Sequence, residues 1–375
     1  MMDRGVGGTS LHSPVLPDFN RTFRIGERLI GDGEPCYTIA EAGSNHDRDL
    51  KKALALVDAA SAAGCDAVKF QTFSGEDMAA GPGTTLTRVP AEFERWGTEL
   101  QDFYRRCSLP KEYHKPIADR AAENGITFFS SAFSEWAVDF LVDVGVPAIK
   151  IASFELVHLP LIRHAASTGL PLVISTGLGG LGDIERALEA AFQGGAKDIA
   201  LLHCGSNYPL SVSGANLSAM ETMRRAFLVP VGYYDHTRGI AVPTAAATLG
   251  ASLIEKHFTL RQSDDGPDHS FAVEPDELRA MVQQIRDAQD AIGTTRKRRV
   301  SEEEPHARRG RRSLVAARKI LKGEYLSPEM VKVVRPGAGL EPFLLDILLG
   351  AVVVRNVDIE SPLTWDDFLA KATHP

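Results

Sequence analysis

Between residues 37 and 293 the chain alternates short apolar runs with stretches of helical spacing, and this rhythm limits the fold more than any other feature. Eight runs fall at residues 37–42, 67–71, 127–131, 148–152, 172–175, 199–203, 229–232 and 252–256. They are continuous blocks rather than alternations of apolar and polar residues, the pattern of parallel strands covered by helices on both faces. Helices are expected between them, among others at 51–63, 183–192 and 276–292. The last carries Leu278, Met281, Val282, Ile285 and Ile292 along one face. Eight strand–helix units over roughly 260 residues fit an α/β fold of the (β/α)8 TIM barrel type in number and length. An open doubly wound sheet is the competing architecture. The stretch from Thr72 to Asn124 is too long for a plain connection and predicts a functional loop.

The barrel is expected to span 23–293, with a Gly/Ser/Pro-containing flexible tail at 1–22 before it. Residues 294–312 turn to Arg, Lys and Glu around Pro305 and read as a charged linker. Its basic clusters at 296–299 and 308–312 enclose Glu302, Glu303 and Glu304 without interleaved aromatics, so a solvated connector or subunit contact is expected. Residues 313–375 combine short strand-like runs with Gly and Pro turns, a small β-rich domain whose core gains from packing on a partner.

The formal net charge of −8 gives no global field for nucleic acid, so anionic ligands must meet local positive charge or a metal. Four dispersed cysteines, Cys36, Cys65, Cys107 and Cys204, form no CxxC pair and predict neither a disulfide framework nor a zinc site; a reducing cytoplasm is the expected home. No apolar run approaches the roughly 20 residues of a membrane span.

Catalysis on such a barrel sits at the carboxyl ends of the strands. Polar residues collect there from nearly every run: Glu41, Asn45 and His46; Lys69 and Gln71; Ser130 and Ser131; Lys150, Ser153 and Glu155; Ser175 and Thr176; His203, Ser206 and Tyr208; Asp235 and His236; Glu255 and His257. Lys69 and Lys150, with the hydroxyls of Ser131, Ser153 and Ser175, offer a cradle for phosphate and carboxylate, unless the lysines are spent on ion pairs with Glu41 or Glu155. His236 and His257, on adjacent strands, suit a divalent ion of the manganese, iron or zinc kind, or else are buried hydrogen-bonded histidines. The run Gly177-Leu178-Gly179-Gly180-Leu181-Gly182 matches the dinucleotide fingerprint G-x-G-x-x-G, but it lies in the fifth unit and no acidic residue closes the next strand. A turn or phosphate loop is expected instead.

Taken as a set, these residues resemble the sialic acid (N-acetylneuraminate) synthase family. The resemblance rests on the run from Ile39 to His46 (Ile-Ala-Glu-Ala-Gly-Ser-Asn-His) and on Val68-Lys69-Phe70-Gln71-Thr72, Lys150-Ile151-Ala152-Ser153-Phe154-Glu155, Ser175-Thr176-Gly177, Leu202-His203-Cys204, Tyr208-Pro209, Asp235-His236-Thr237 and Glu255-Lys256-His257-Phe258. In the tail, Arg312-Ser313-Leu314-Val315-Ala316, Ile320, Gly323 and the run from Val334 to Gly339 resemble the antifreeze-like (SAF) domain that closes these enzymes. The match runs in order from Phe23 to Phe368. Ala152-Ser153-Phe154-Glu155 is closer to the pseudaminate and spore-coat branches.

The resemblance implies condensation of phosphoenolpyruvate with an N-acylated hexosamine, N-acetylmannosamine or a related bacterial amino sugar, to a nonulosonic acid and phosphate. It implies manganese, with magnesium or cobalt as alternatives, on His236 and His257, and Glu41 and Lys69 in the chemistry. Gln71, Ser131, Lys150, Ser153, Ser175, Ser206, Tyr208 and Asp268 would bind substrate. Arg335 would reach a partner's site in a domain-swapped homodimer. Three departures bear on the substrate: Tyr234 replaces the serine usual two residues before the metal histidine, Ala132 follows Ser131 where threonine-proline is common, and Ser206 replaces an asparagine. Other readings are a pseudaminate or legionaminate synthase acting on a deoxy-diacetamido sugar, a Schiff-base aldolase using Lys69 or Lys150, and an inactive binding or scaffold homologue.

Overall fold

The computed structural model describes residues 18–83 and 85–368. The chain divides after Gly293 into two compact units. Two strands open the first unit, β1 (Thr22–Ile25) and β2 (Arg28–Gly31), followed by β3 (Tyr37–Glu41), β4 (Ala67–Thr72), β5 (Thr127–Ala132), β6 (Ile149–Ile151), β7 (Leu172–Ser175), β8 (Ile199–His203), β9 (Val231–Asp235) and β10 (Leu253–His257). Strands β3 to β10 form a closed parallel barrel in sequence order, with β10 returning to β3. The eight expected runs become its eight strands, and the open-sheet alternative is excluded.

The reason lies in the side chains. Ile39, Val68, Phe129, Ile149, Val173, Leu201, Val231 and Ile254 are fully buried, as strands with helices outside and a packed interior require. The helices are signalled locally. Asp49 caps Leu50–Ala62 by accepting from the Lys51 amide, and Pro275 starts Pro275–Ile292. On that last helix Leu278, Met281, Val282 and Ile285 are buried, but Ile292, expected on the same face, is exposed in the final turn.

Two boundaries move in a way that matters for the site. The expected 229–232 strand is β9, ending at Asp235, and the last strand extends to His257. Polar residues there read as strand ends, yet Asp235 and His257 are buried strand residues held by the ladder. The long stretch after β4 carries a four-residue helix (Gly75–Met78) with a Ser74–Asp77 capping box, two 3-10 turns, and the helices Leu100–Cys107 and Lys111–Glu123.

The hairpin β1–β2 was not foreseen, and it shortens the tail expected over 1–22. Phe19 is buried edge-on to Phe192, and the Asn20 amide donates to the Lys197 carbonyl at 2.8 Å. Phe23, Ile25 and Ile30 join the barrel's core. Arg28 pairs with Asp66 at 3.4 Å, and Gly26, in the left-handed region (φ 57°), leaves just enough room for Thr127. Asp66, Thr127 and Lys197 stand at or just before strand beginnings, so the hairpin stoppers the amino end. Residues 1–17 lie outside the described residues.

The second unit pairs β11 (Ser313–Ala316) with β12 (Val331–Val334), antiparallel, around a separate core that includes Leu314, Ile320, Leu326, Val353 and Leu363. Part of the segment expected as a linker forms a short helix, Glu304–Gly310.

Candidate functional site

At the carboxyl end of the barrel, charge is buried in a ring of neighbours. Lys69 on β4 lies 2.6 Å from Glu41 on β3 and 3.4 Å from Glu255 on β10; Lys150 on β6 lies 3.8 Å from Glu255. All four side chains are at most 1% exposed. Lys69 donates to Ser131 (2.8 Å), Lys150 to Ser175 (2.7 Å) and Gln71 to Glu41 (2.7 Å). Ion pairing of the lysines is thus real, but Lys150's carboxylate is Glu255, not Glu155. Both Glu255 oxygens lack a hydrogen bond, so two cations face a carboxylate they do not saturate.

These groups adjoin a cavity of about 530 Å³. Of the residues singled out in the sequence, Lys69, Gln71, Ser131, Lys150, Ser153, Tyr208, His257 and Asp268 line it, as does Tyr234. Glu41, Ser175, Ser206 and His236 are not on its wall. Ser175 acts behind Lys150. Ser206 points a partnerless, buried hydroxyl to where a side chain on Gly177 would be, 2.3 Å from that position. His236 packs tilted behind Tyr208 and Tyr234, ring centroids 4.3 and 4.1 Å away. Ser153 bonds the Cys204 sulfur (3.1 Å) and accepts the Gly177 amide (3.2 Å), and Asp268 accepts the Ser44 amide and hydroxyl. Arg335 lies in the second unit, exposed and without a partner among the described residues. The glycine run at 177–182 is the turn into helix Leu181–Gln193, whose N-cap is Gly180.

Sequence reasoning passed over the other wall, made by Phe73, Met78, Val89, Trp96, Leu100 and Tyr104 from the long stretch after β4. Its length was the signal. It also gave Glu255 no role, although Glu255 shares a strand face with His257 two residues on.

Burial sets the protonation of these groups. It outweighs Lys69 at Glu41 and pushes that carboxyl up, with Glu255 adding to the rise. Burial also acts on both lysines, but at Lys69 the carboxylates of Glu255 and Glu41 overcome it and hold the ammonium above its ordinary range. At Lys150 burial wins and the ammonium is lowered. His236 and His257 are held neutral, first by burial, then at His236 by His257 and at His257 by Lys69, Lys256 and Lys150.

Among the described residues, two places could hold a divalent ion. Asp47, Asp264 and His269 converge, but the ammonium of Lys52 already pairs with Asp47 and with Asp264 (2.5 Å) and takes a cation's place. His269 is spent on Thr259 (2.6 Å) and Asp47 (3.1 Å). His236 and His257 fit better. The His236 Nδ1–H donates to the Gly205 carbonyl (2.6 Å), which can only accept, so the neutral ring presents its Nε2 lone pair, and that atom is buried without a partner. His257 Nδ1 is likewise buried and unpartnered. Gly43 (φ 51°) keeps the space there open, since a Cβ on it would lie 3.2 Å from Nδ1 and 2.6 Å from Asp268.

Residues 56–297 match the NeuB family model and residues 311–369 the SAF domain. The chain is 38% identical to N,N'-diacetyllegionaminic acid synthase of Legionella pneumophila over 91% of its own length and 97% of that protein. It is 34% identical to pseudaminic acid synthase of Helicobacter pylori, over 89% and 98%. The crystal structure of N-acetylneuraminic acid (sialic acid) synthetase from Leptospira borgpetersenii superposes with a TM-score of 0.67 at 30% identity, covering 77% of this chain and 96% of that one. A barrel followed along the chain by a second, SAF unit, shared with relatives along nearly their whole length, makes this chain a member of the NeuB family.

Proposed function

We propose that the chain condenses phosphoenolpyruvate with the open-chain aldehyde of an N-acylated hexosamine, giving a nonulosonic acid and inorganic phosphate. The observation that carries this reading is the pair of buried lysines, Lys69 and Lys150, on the wall of a cavity that also presents Gln71, Tyr208 and Asp268. In a site shielded from water, fixed cations bind the phosphate and carboxylate of the first substrate more strongly than surface lysines could.

Lys69, steadied by Ser131, and Lys150, steadied by Ser175, hold the two anionic groups, with Ser153 adding a hydroxyl. The methylene carbon of phosphoenolpyruvate bonds to the aldehyde carbon, water adds at the former enol carbon, and phosphate leaves by C–O cleavage. Glu41, its carboxyl raised by burial, serves the aldehyde oxygen as a proton donor. Gln71, Tyr208 and Asp268 contact the sugar, with Ser206 set behind the wall against Gly177, and Arg335 of a second copy completes the site in a swapped homodimer. His236 and His257 would hold a divalent ion, manganese first and magnesium or cobalt next, whose chemistry is Lewis-acid polarisation of that aldehyde. The similarity to legionaminic and pseudaminic acid synthases supports a deoxy-diacetamido hexose ahead of N-acetylmannosamine as acceptor. The free cysteines support a reducing, cytoplasmic setting, and among the described residues no helix is long and apolar enough to cross a membrane.

Phosphate release from phosphoenolpyruvate, measured with manganese across a panel of N-acylated hexosamines and with a chelator, tests the reading. Chelator-sensitive release that needs one sugar is expected. Silence from folded protein that binds neither phosphoenolpyruvate nor manganese would leave a non-catalytic homologue. No phosphate release, but chelator-insensitive condensation of pyruvate with the sugar and borohydride trapping of the pyruvate imine on Lys150, whose ammonium burial lowers, would favour the aldolase.

A further inference from the structure

Tyr234 stands on β9 where three parts of the site meet. Its ring lies nearly parallel to that of His257 (18°, centroids 5.6 Å apart), packs on His236 at 4.1 Å, and sits 5.1 Å from the Lys150 ammonium. Its hydroxyl is 2.6 Å from His257 Nε2, and it lines the cavity. The second nitrogen of His257, Nδ1, is buried and has no hydrogen-bond partner.

Only two hydrogen arrangements fit a neutral imidazole here. If the phenol donates to Nε2, then Nδ1 carries a hydrogen with no acceptor, and orphaned buried N–H groups are among the rarest features of folded proteins. If instead Nε2–H donates to the phenol oxygen, Nδ1 keeps a bare lone pair, which is the less costly kind of orphan. The phenol hydrogen is then free to turn into the cavity. Gly43 keeps space open against that same Nδ1. The His236 contact with Gly205 gives the same outcome by a different route: one ring nitrogen is tied to a protein oxygen and the other is left as a buried lone pair.

We propose that Tyr234 is a positioning residue that accepts the Nε2–H of His257, fixes that ring with Nδ1 as its cation-binding nitrogen, and turns its own hydroxyl hydrogen to an anionic oxygen of the substrate beside Lys150. This rests on the proposed function, because it assumes that His257 binds the ion and that the cavity takes an anionic substrate. The usual serine could not do the same work, because its hydroxyl stops at the β-carbon's neighbour while the phenol spans the ring's width. The phenol thereby fixes which nitrogen of His257 is left bare and occupies part of the cavity beside Lys150.

The test uses the full-length, metal-free protein and three variants: Tyr234→Phe, Tyr234→Ser and His257→Ala. Imidazole ¹⁵N NMR reads the tautomer, and manganese binding is followed by loss of the free-ion EPR signal. In the wild type, His257 should be protonated on Nε2 and bare on Nδ1. Tyr234→Phe should lose that preference and bind manganese about 10- to 100-fold more weakly, the range for removing a partner that orients a metal ligand. Phosphoenolpyruvate binding without metal, read by calorimetry, should weaken several-fold as well. Tyr234→Ser should lose the tautomer preference as well, which guards against a folding artefact in one variant. Unchanged tautomer and affinity in Tyr234→Phe, with manganese lost in His257→Ala, would overturn this inference alone. A wild type that binds no manganese would overturn it together with the metal part of the proposed function.

Discussion

Two buried lysine networks lie side by side at the same end of the barrel, and only one of them is complete. Lys256 on β10 donates to Asp235 at 2.6 Å and to the Thr237 carbonyl, and Asp235 also accepts the Thr237 amide and hydroxyl at 3.0 and 3.1 Å. Every charge there is answered by protein. Lys69 and Lys150 are as deeply buried, but they face a Glu255 whose oxygens accept no hydrogen bond, and both lysines reach the cavity wall. The residue types and depth are the same. What separates a structural ion pair from a candidate site is therefore the unanswered polar group and the adjoining space, because burial of charge is tolerated only when its partners are supplied.

Substitutions can break this contrast. The largest effect is expected for Lys150→Met: under the proposed reaction, turnover should fall by about a thousand-fold, as when a fixed electrostatic contact is removed. Its melting temperature should stay within a few degrees of the parent. A melting temperature that falls sharply would make the two networks alike. Asp235→Asn should do the opposite and cost about 3–5 kcal/mol in urea denaturation, because Lys256 would be left charged and poorly paired in the interior. A loss below about 1 kcal/mol would mean that Lys256 had found water or lost its proton. The smallest effect is expected for Lys115→Ala, which removes an exposed i,i+4 pair with Asp119; it should cost no more than about 0.5 kcal/mol and sets the scale for ion pairs in solvent.

The barrel was legible because its strands are buried on both sides, so each announces itself as an apolar block within a few residues of its true ends. Lys69, Gln71, Ser131, Lys150 and His257 could be brought together in advance because closure sends every strand's carboxyl end to one rim. Pairings across the barrel were not legible in the same way. Glu255 as the shared counter-charge of Lys69 and Lys150 depends on β10 lying next to β3, which no local pattern encodes. The Tyr234–His257 contact joins neighbouring strands but depends on how two side chains turn, and Lys52 fills the Asp47–Asp264 gap between distant segments; no local pattern encodes either. The hairpin was missed for a simpler reason. Its strands are four residues each and follow a Gly/Ser/Pro-containing segment, so they leave little periodic signal.

That hairpin has a bearing on how such a molecule changes over generations. Phe23, Ile25 and Ile30 pack into the barrel's core from the amino end, so this plug and the cavity lie at opposite poles. The segment between β4 and β5 can then be rewritten, lengthened or exchanged while the seal is left alone. Inheritance of the scaffold is separated from invention at the rim, and the cavity wall can vary without first risking the fold.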